Sequence, residues 1–270
     1  MSLRIGVIGG GGWLAGALLR PALAKGIIDP AALILSSRKG AVSGFEAWPA
    51  IAVTSDNQTL ADGSDVVILS VRPGDLDQLT LDLRGKLIIS VMAGIPAADL
   101  ATRYSSDRVI RSMPNACAEW QQGFTPWFAT EAVTGSDRDI ATRFFAASGK
   151  TIEIPREEDL DYFTALTGSG ASMPALMADA MIGDAIARGI APEIAEMAVR
   201  QLMLGAGTTI ALGAAKPGAI VREFYDYGGT TAAGLKAMMD GGLPQAVVDG
   251  LKAATDRARA YAIRQSAPDA

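Results

Sequence analysis

Apolar and polar positions along this chain follow two rhythms, and the change between them falls near residue 157. In the first part, short runs rich in Val, Ile and Leu recur between longer stretches with helical spacing. The runs cover residues 3–9, 33–37, 65–71, 86–93 and 108–113, followed by 123–129 and 151–155. Val66-Val67-Ile68-Leu69 and Leu87-Ile88-Ile89 are apolar without a break, the pattern of strands covered on both faces. Residues 13–25, 96–104 and 137–148 read as helices between the runs. Strand followed by helix, repeated, predicts an α/β fold with a largely parallel, doubly wound Rossmann-type sheet. Beyond Pro155 no convincing strand follows. Ala/Met/Leu-rich stretches at 171–188, 192–212, 230–239 and 245–264 have helical spacing instead. We therefore expect a sheet domain over 1–157 and an all-α domain over 158–270. The Ala/Gly-rich stretch 205–219 reads as tight helix packing rather than disorder. Long apolar helix faces predict burial against a second subunit, as a homodimer or a higher homo-oligomer; the Met-rich stretch Met173–Met181 reads as helix core, with a subunit interface as the alternative.

Composition narrows the function. Hydrophobic residues make up 49% of the 270 and charged residues 20%, enough apolar surface for two packed cores. A net charge of -5 argues against nucleic acid or an anionic membrane as the main partner. The longest apolar stretches are strand-length, so no bilayer span is expected. The one cysteine, Cys117, cannot form an internal disulfide, which fits a cytoplasmic protein. Histidine is absent altogether. That removes Ser-His hydrolases, His-ligated metal sites and dehydrogenases with a histidine acid/base, and no metal site is expected.

The first strand runs into Gly9-Gly10-Gly11-Gly12-Trp13-Leu14-Ala15 and then an apolar helix. Glycines there allow a tight turn and a close backbone approach to a pyrophosphate, and the helix start directs free N–H groups at its charge. Two registers fit, Gly10-x-Gly12-x-x-Ala15 and Gly9-x-Gly11-x-x-Leu14. The alternative is a structural turn without a ligand. The end of the second strand reads Ser36-Ser37-Arg38-Lys39 and has no acid. Hydroxyls and two cations suit the 2′-phosphate of NADP(H), so NADPH is expected, with NADH as the alternative if these are only solvated charges.

Three further segments stand at strand ends or helix starts: Ile110-Arg111-Ser112-Met113-Pro114-Asn115, Ala165-Leu166-Thr167-Gly168-Ser169-Gly170-Ala171 and Tyr227-Gly228-Gly229-Thr230-Thr231-Ala232-Ala233-Gly234-Leu235. With Ile5-Gly6-Val7-Ile8-Gly9, Val71-Arg72-Pro73 and Ala93-Gly94, they resemble the pyrroline-5-carboxylate reductase family in order along nearly the whole chain. The resemblance implies an oxidoreductase that reduces a cyclic imino acid, 1-pyrroline-5-carboxylate, to proline, working as a dimer with intertwined helical domains. It implies a cofactor site made by Gly9, Gly10, Gly11, Gly12, Trp13, Leu14, Ser36, Ser37, Arg38, Val71, Arg72, Pro73, Ala93, Gly94 and Asn115. It also implies a substrate site at Gly228, Gly229, Thr230 and Ser169, with Thr231 near the imine nitrogen as proton relay or positioning group.

Elementary chemistry is consistent with such a reaction. Reducing C=N needs a hydride donor held over one face of the carbon, and an imine basic enough to arrive protonated needs no histidine acid. Gly228-Gly229 before Thr230-Thr231 offers free N–H groups and hydroxyls to a carboxylate. The bland alternative is that the threonines only cap a helix. Asn115 is open between the cofactor ribose and a loop backbone, and Arg111 between structure and function.

The chain departs from the family pattern at three places. Ala171-Ser172-Met173 replaces Pro-Ala-Tyr, Ala116-Cys117 replaces Thr-Pro, and Asp226-Tyr227 replaces Ser-Pro. A carboxylate at Asp226 would repel a substrate carboxylate at short range, and it leaves open an imine reductase with another substrate. A β-hydroxyacid dehydrogenase would carry a lysine in 171–188, and none is there. A non-catalytic NADPH-binding paralogue is the remaining alternative.

Overall fold

The computed structural model describes residues 3–266. Among them, eight strands build one sheet: β1 (Ile5–Ile8), β2 (Leu33–Ser36), β3 (Ala52–Thr54), β4 (Val66–Leu69), β5 (Leu87–Ser90), β6 (Val109–Ser112), β7 (Gly123–Ala129) and β8 (Gly149–Glu153). Ten α-helices accompany them: α1 (Trp13–Ala24), α2 (Asn57–Asp62), α3 (Ala97–Tyr104), α4 (Gly135–Ala146), α5 (Asp159–Phe163), α6 (Ser172–Ala187), α7 (Pro192–Leu212), α8 (Pro217–Asp226), α9 (Thr230–Asp240) and α10 (Leu243–Ser266). No helix among the described residues is long and apolar enough to cross a membrane.

The strand order is β3-β2-β1-β4-β5-β6-β7-β8. Neighbours pair in parallel except β6 and β7, which are antiparallel. The period-2 alternation of side chains explains why the central strands are apolar throughout. Ile5, Val7, Leu35, Val66, Ile68, Leu87 and Ile89 join one core with α1 and α4. Ile8, Val67, Leu69 and Ile88 join a second core with α2 and α3. From β1 the chain works outward to β2 and β3, then crosses back to start β4 on the other side of β1. That reversal opens a crevice beyond the carboxyl ends of β1 and β4, the usual ligand position of doubly wound sheets.

Three elements departed from the pattern read in the sequence. Edge strand β3 has only three residues, none of them buried, so no apolar run marks it. Helix α2 has six residues and is started by Asp56, whose carboxylate accepts the Gln58 and Thr59 N–H groups. Helix α8 begins on Lys216-Pro217, where proline suits the first helical position. Residues 205–212 lie in α7 and 217–219 in α8, but within the single chain a Cβ added at Gly205 or Gly207 would meet nothing within 4 Å and residues 204–218 are exposed, so the chain alone makes no tight packing there.

The chain divides into two compact units, one of residues 1–170 joined by 253 onward, the other 171–252. Residues 158–170, expected with the helical part, thus group with the sheet. Leu160 packs in a small core with Met113 and Ile154, which holds that segment there. Residues 267–270 of the expected helical domain lie outside the described residues. In the second unit, α6 packs on α7 and α8 on α9, yet only Ala195 and Val199 are buried. Leu176, Met197, Leu204, Leu212 and Val248 are exposed, Leu212 by 82%. So much uncovered apolar surface is what a subunit interface leaves on a single chain.

One ion pair locks the far side of the sheet. Asp137 is 3% exposed and accepts from Arg108 Nε at 3.0 Å and Arg108 Nη2 at 2.5 Å. It also closes a capping box with Thr134 at the start of α4. Burial pushes the Asp137 carboxyl up, but Arg108 and the Thr134 N–H and hydroxyl outweigh it and hold the pKa below its usual 3.8. A lowered folded pKa stabilises the fold above the unfolded value and ceases to do so as pH falls through the folded one. Asp137→Asn should lower the urea midpoint at neutral pH and flatten its decline between about pH 5 and pH 2. Urea melts of both proteins across that range check this.

Candidate active site

The glycine-rich turn is built by backbone geometry. Gly9 follows β1 with φ +80, a left-handed conformation that L side chains resist. A Cβ on it would lie 2.3 Å from the Ser70 carbonyl oxygen, so β1 and β4 can approach only with glycine there. The turn is then pinned by Gly10 N–H to the Ser36 carbonyl at 3.0 Å and Gly12 N–H to the Gly9 carbonyl at 2.9 Å. Gly12 stands at the N-cap of α1 without a side-chain cap, which leaves first-turn N–H groups free for an anion. The tight-turn glycine is Gly9 and the next one lining the cleft is Gly11, which fits the register Gly9-x-Gly11-x-x-Leu14. Ala15, the third position of the other register, is buried in the core.

Around this turn lies a cleft of about 750 Å³ lined by Gly9, Gly11 and Gly12 on its floor. Ser36, Ser37, Arg38, Lys39 and Asn57 form one wall, and Ser70, Val71, Arg72 and Asp75 the other. Ser36 is buried and its hydroxyl donates to Asn57 Oδ1 at 2.6 Å; the Ser37 hydroxyl donates to the Ala41 carbonyl at 2.6 Å. Arg38, Lys39 and Arg72 are exposed, and none of them has a carboxylate partner within 4.0 Å among the described residues. Free cations, hydroxyls and a helix start beside one cleft are groups that suit a phosphorylated dinucleotide. Gly10 faces Leu35 rather than the cleft. Pro73 opens the short turn after Arg72. Asn57, Ser55 and Asp75 were not picked from the sequence; the acid-free strand end drew attention to residues 36–39, while Asn57 arrives from the unmarked helix α2.

Trp13, the first residue of α1, is half-exposed, and its indole N–H donates to Glu119 Oε2 at 3.2 Å. Ala93 and Gly94 follow β5, Gly94 with φ +73. Asn115 is 8% exposed; its amide donates to the Thr167 carbonyl at 3.0 Å and its Oδ1 accepts from Phe124 N–H at 3.4 Å. These bonds tie Asn115 to the backbone of Thr167 and of β7, and each end of its amide keeps a further donor or acceptor for a cofactor ribose. Arg111 is buried between Glu157 and Asp161. Trp127 fills the core, whereas Trp120 is 77% exposed. The Gly168–Gly170 segment closes a π-type turn after α5, and the Ser169 N–H returns to the Thr164 carbonyl at 2.9 Å. Gly168 sits against Met113, 3.3 Å from where its Cβ would be, so the first and second of the three sequence segments meet at Met113.

Gly228-Gly229-Thr230-Thr231 belong to the second unit. Gly228 has φ +76, Gly229 is the N-cap of α9 without a side-chain cap, and the Tyr227 ring lies over it. The cap position is glycine, so the two threonines occupy the first helical positions and do not cap it. Their hydroxyls and the first-turn N–H groups remain available to an anion. Asp226 is the last residue of α8, whose last turn has no basic residue.

With this geometry in place, comparison with known proteins is decisive. The chain is 30% identical to pyrroline-5-carboxylate reductase of Synechocystis sp. over 264 residues, 96% of this chain and 98% of the relative. This chain belongs to the pyrroline-5-carboxylate reductase family. Residues 157–261 match the family described as pyrroline-5-carboxylate reductase dimerisation, and residues 4–94 match NADP oxidoreductase, coenzyme F420-dependent. The fold is shared with pyrroline-5-carboxylate reductase of Coxiella burnetii, at TM-score 0.86 and 26% identity over 97% of this chain and 99% of that one. It is shared too with pyrroline carboxylate reductase of Plasmodium falciparum with NADP bound, at TM-score 0.83 and 21% identity over 97% and 98%. In this pyrroline-5-carboxylate reductase fold, the match to the dimerisation family begins at 157, whereas the compact units divide after Gly170.

Proposed function

We propose that this chain reduces a cyclic imino acid with NADPH, 1-pyrroline-5-carboxylate to proline, and does so as a homodimer in the cytoplasm. The observation that carries this reading is the glycine-floored cleft with free Arg38 and Lys39 in a member of this family. The N–H groups at the start of α1 would hold the pyrophosphate, Ser36 and Asn57 the adenosine ribose, and Arg38 and Lys39 the 2′-phosphate. Bound there, the cofactor supplies a hydride to the imine carbon. Val71-Arg72-Pro73 flank the cofactor, and Ala93-Gly94 and Ser169 border its reactive end. Gly228, Gly229 and Thr230 bind the substrate carboxylate, and Thr231 positions the imine nitrogen. Since that nitrogen arrives protonated, a chain without histidine suffices. Residues 158–270 act as the substrate and dimerisation part; a particle of two chains in light scattering is expected at micromolar concentration.

Two experiments test this. Purified protein should oxidise NADPH with pyrroline-5-carboxylate and not with the six-membered piperideine-6-carboxylate. Turnover of the larger ring alone would move the substrate assignment and give Asp226 and Tyr227 a part in it; NADPH binding without turnover of either would leave a non-catalytic dinucleotide-binding protein. Replacing Arg38 and Lys39 together by alanine should raise the KM for NADPH by about tenfold or more, since charge-assisted phosphate bonds are lost. The KM for NADH should not move, and steady-state kinetics with both cofactors check it.

A further inference from the structure

One buried cation in the first unit, paired with two carboxylates, has no part in the reaction as described. Arg111, on β6, is 3% exposed. It donates to Glu157 Oε1 at 3.0 Å and to Asp161 Oδ1 at 3.2 Å. Glu157 Oε1 also accepts the Ala97 N–H at 2.7 Å. Ala97 is the first residue of α3, and its N-cap, Pro96, offers no side-chain acceptor. One carboxylate oxygen therefore caps α3 from sixty residues away and anchors β6 at the same time.

These bonds join the three backbone segments that converge on one edge of the sheet. Ala93-Gly94 leads from β5 to α3, Met113 leaves β6, and residues 157–170 carry α5 and the Gly168–Gly170 turn. An apolar cluster lies among the same segments: Met113, Ile154 and Leu160, with Ala93 and Phe163 packed against them. Gly168 rests on Met113. Among the described residues the Ala97 N–H donates to Glu157 alone, so the reach of that side chain bears directly on how the start of α3, just past the Gly94 turn, sits against 157–170.

We propose that Glu157, held by Arg111, is a positioning residue for hydride transfer. It sets the distance between Ala93-Gly94 and Gly168-Ser169-Gly170. The inference rests on the assignment of these two segments to the reactive end of the cofactor site. It needs no group beyond a carboxamide or carboxylate oxygen at the right reach, so reach rather than charge is what matters.

The test compares Glu157→Gln, which keeps the reach and loses the charge, with Glu157→Asp, which keeps the charge and draws the oxygen back by one methylene. Wild-type turnover of pyrroline-5-carboxylate is measured first, and its absence would remove the functional reading itself. With wild-type turnover in hand, kcat, the dissociation constant for NADPH and the melting temperature are read for each variant, well below both melting temperatures. Glu157→Asp is expected to lose about tenfold or more in kcat, as small misplacements at a reacting centre do. Its NADPH dissociation constant should stay within about twofold, because the adenosine cleft is made by other residues. Glu157→Gln should keep kcat within about threefold of wild type. A kcat that is unchanged in Glu157→Asp, or that follows the melting temperature in both variants, would reduce the cluster to a structural ion pair and overturn the proposal. Any other ranking of the two variants overturns it as well.

Discussion

Gly9→Ala is expected to abolish NADPH binding at working concentrations and to lower the melting temperature. Two effects add. The residue sits at φ +80, where a Cβ costs about 1–2 kcal/mol in strain. The new carbon would also stand 2.3 Å from the Ser70 carbonyl oxygen, and that atom belongs to backbone that cannot swing aside. β1 and β4 are hydrogen-bonded along their length, from Ile5 beside Val66 to Ile8 beside Leu69, so relief must come from the turn itself. Any shift of Gly10–Gly12 moves the α1 N–H groups away from the pyrophosphate. Titrating the variant with NADPH while following cofactor fluorescence should show at least about a hundredfold loss of affinity, the product of strain and lost phosphate bonds. Gly11→Ala makes the comparison: its Cβ would meet only Val42 and Ser37 at 3.4 Å and beyond. The fold should tolerate it, and binding should suffer only from the methyl group in the cleft. Equal affinity for NADPH in wild type and Gly9→Ala would show that this turn is not the pyrophosphate site.

Arg111→Leu is expected to be the most destabilising single replacement outside the hydrophobic core. It leaves Glu157 and Asp161, both largely buried, facing the space of one missing cation. Stranding buried charges in this way costs about 3–5 kcal/mol, against a total stability of about 5–15 kcal/mol for an ordinary domain. The native arrangement is itself imperfect, because Arg111 Nε is buried without a partner. Arg111→Lys should recover only part of the loss: a single ammonium lacks the planar fork that reaches two carboxylates at once. Urea unfolding followed by the fluorescence of core residue Trp127 measures all three proteins. A midpoint unchanged in Arg111→Leu would mean that the two carboxylates lose nothing with their cation, and would overturn this expectation.

Much of the architecture was legible before any coordinates. Buried parallel strands are apolar on both faces, and in β4 and β5 that leaves a run no surface element would carry. Long helices α1, α6, α7 and α10 have enough periodic positions to be read within a few residues of their observed ends. Short elements were not legible. The three residues of β3, none of them buried, and the six of α2 take their conformation from neighbours already in place, pairing with β2 in one case and an Asp56 cap in the other. Asn57 could not be singled out for the same reason: its place in the cleft depends on where α2 lands beside Ser36.

By itself the sequence determined the class of fold, the glycine-rich turn after β1, the acid-free end of β2 and the family, because each of these is written in residues close together along the chain. Only the tertiary structure decided what distant residues do to one another. It selected Gly9 over Gly10 as the tight-turn residue, since that choice depends on the Ser70 carbonyl across the sheet. It tied the Asn115 amide to the backbone of Thr167 and Phe124. It grouped residues 158–170 with the sheet through Arg111, Leu160 and Met113. Local propensities cannot carry such outcomes, because they arise from carbonyls, carboxylates and apolar side chains that meet only after the chain has folded.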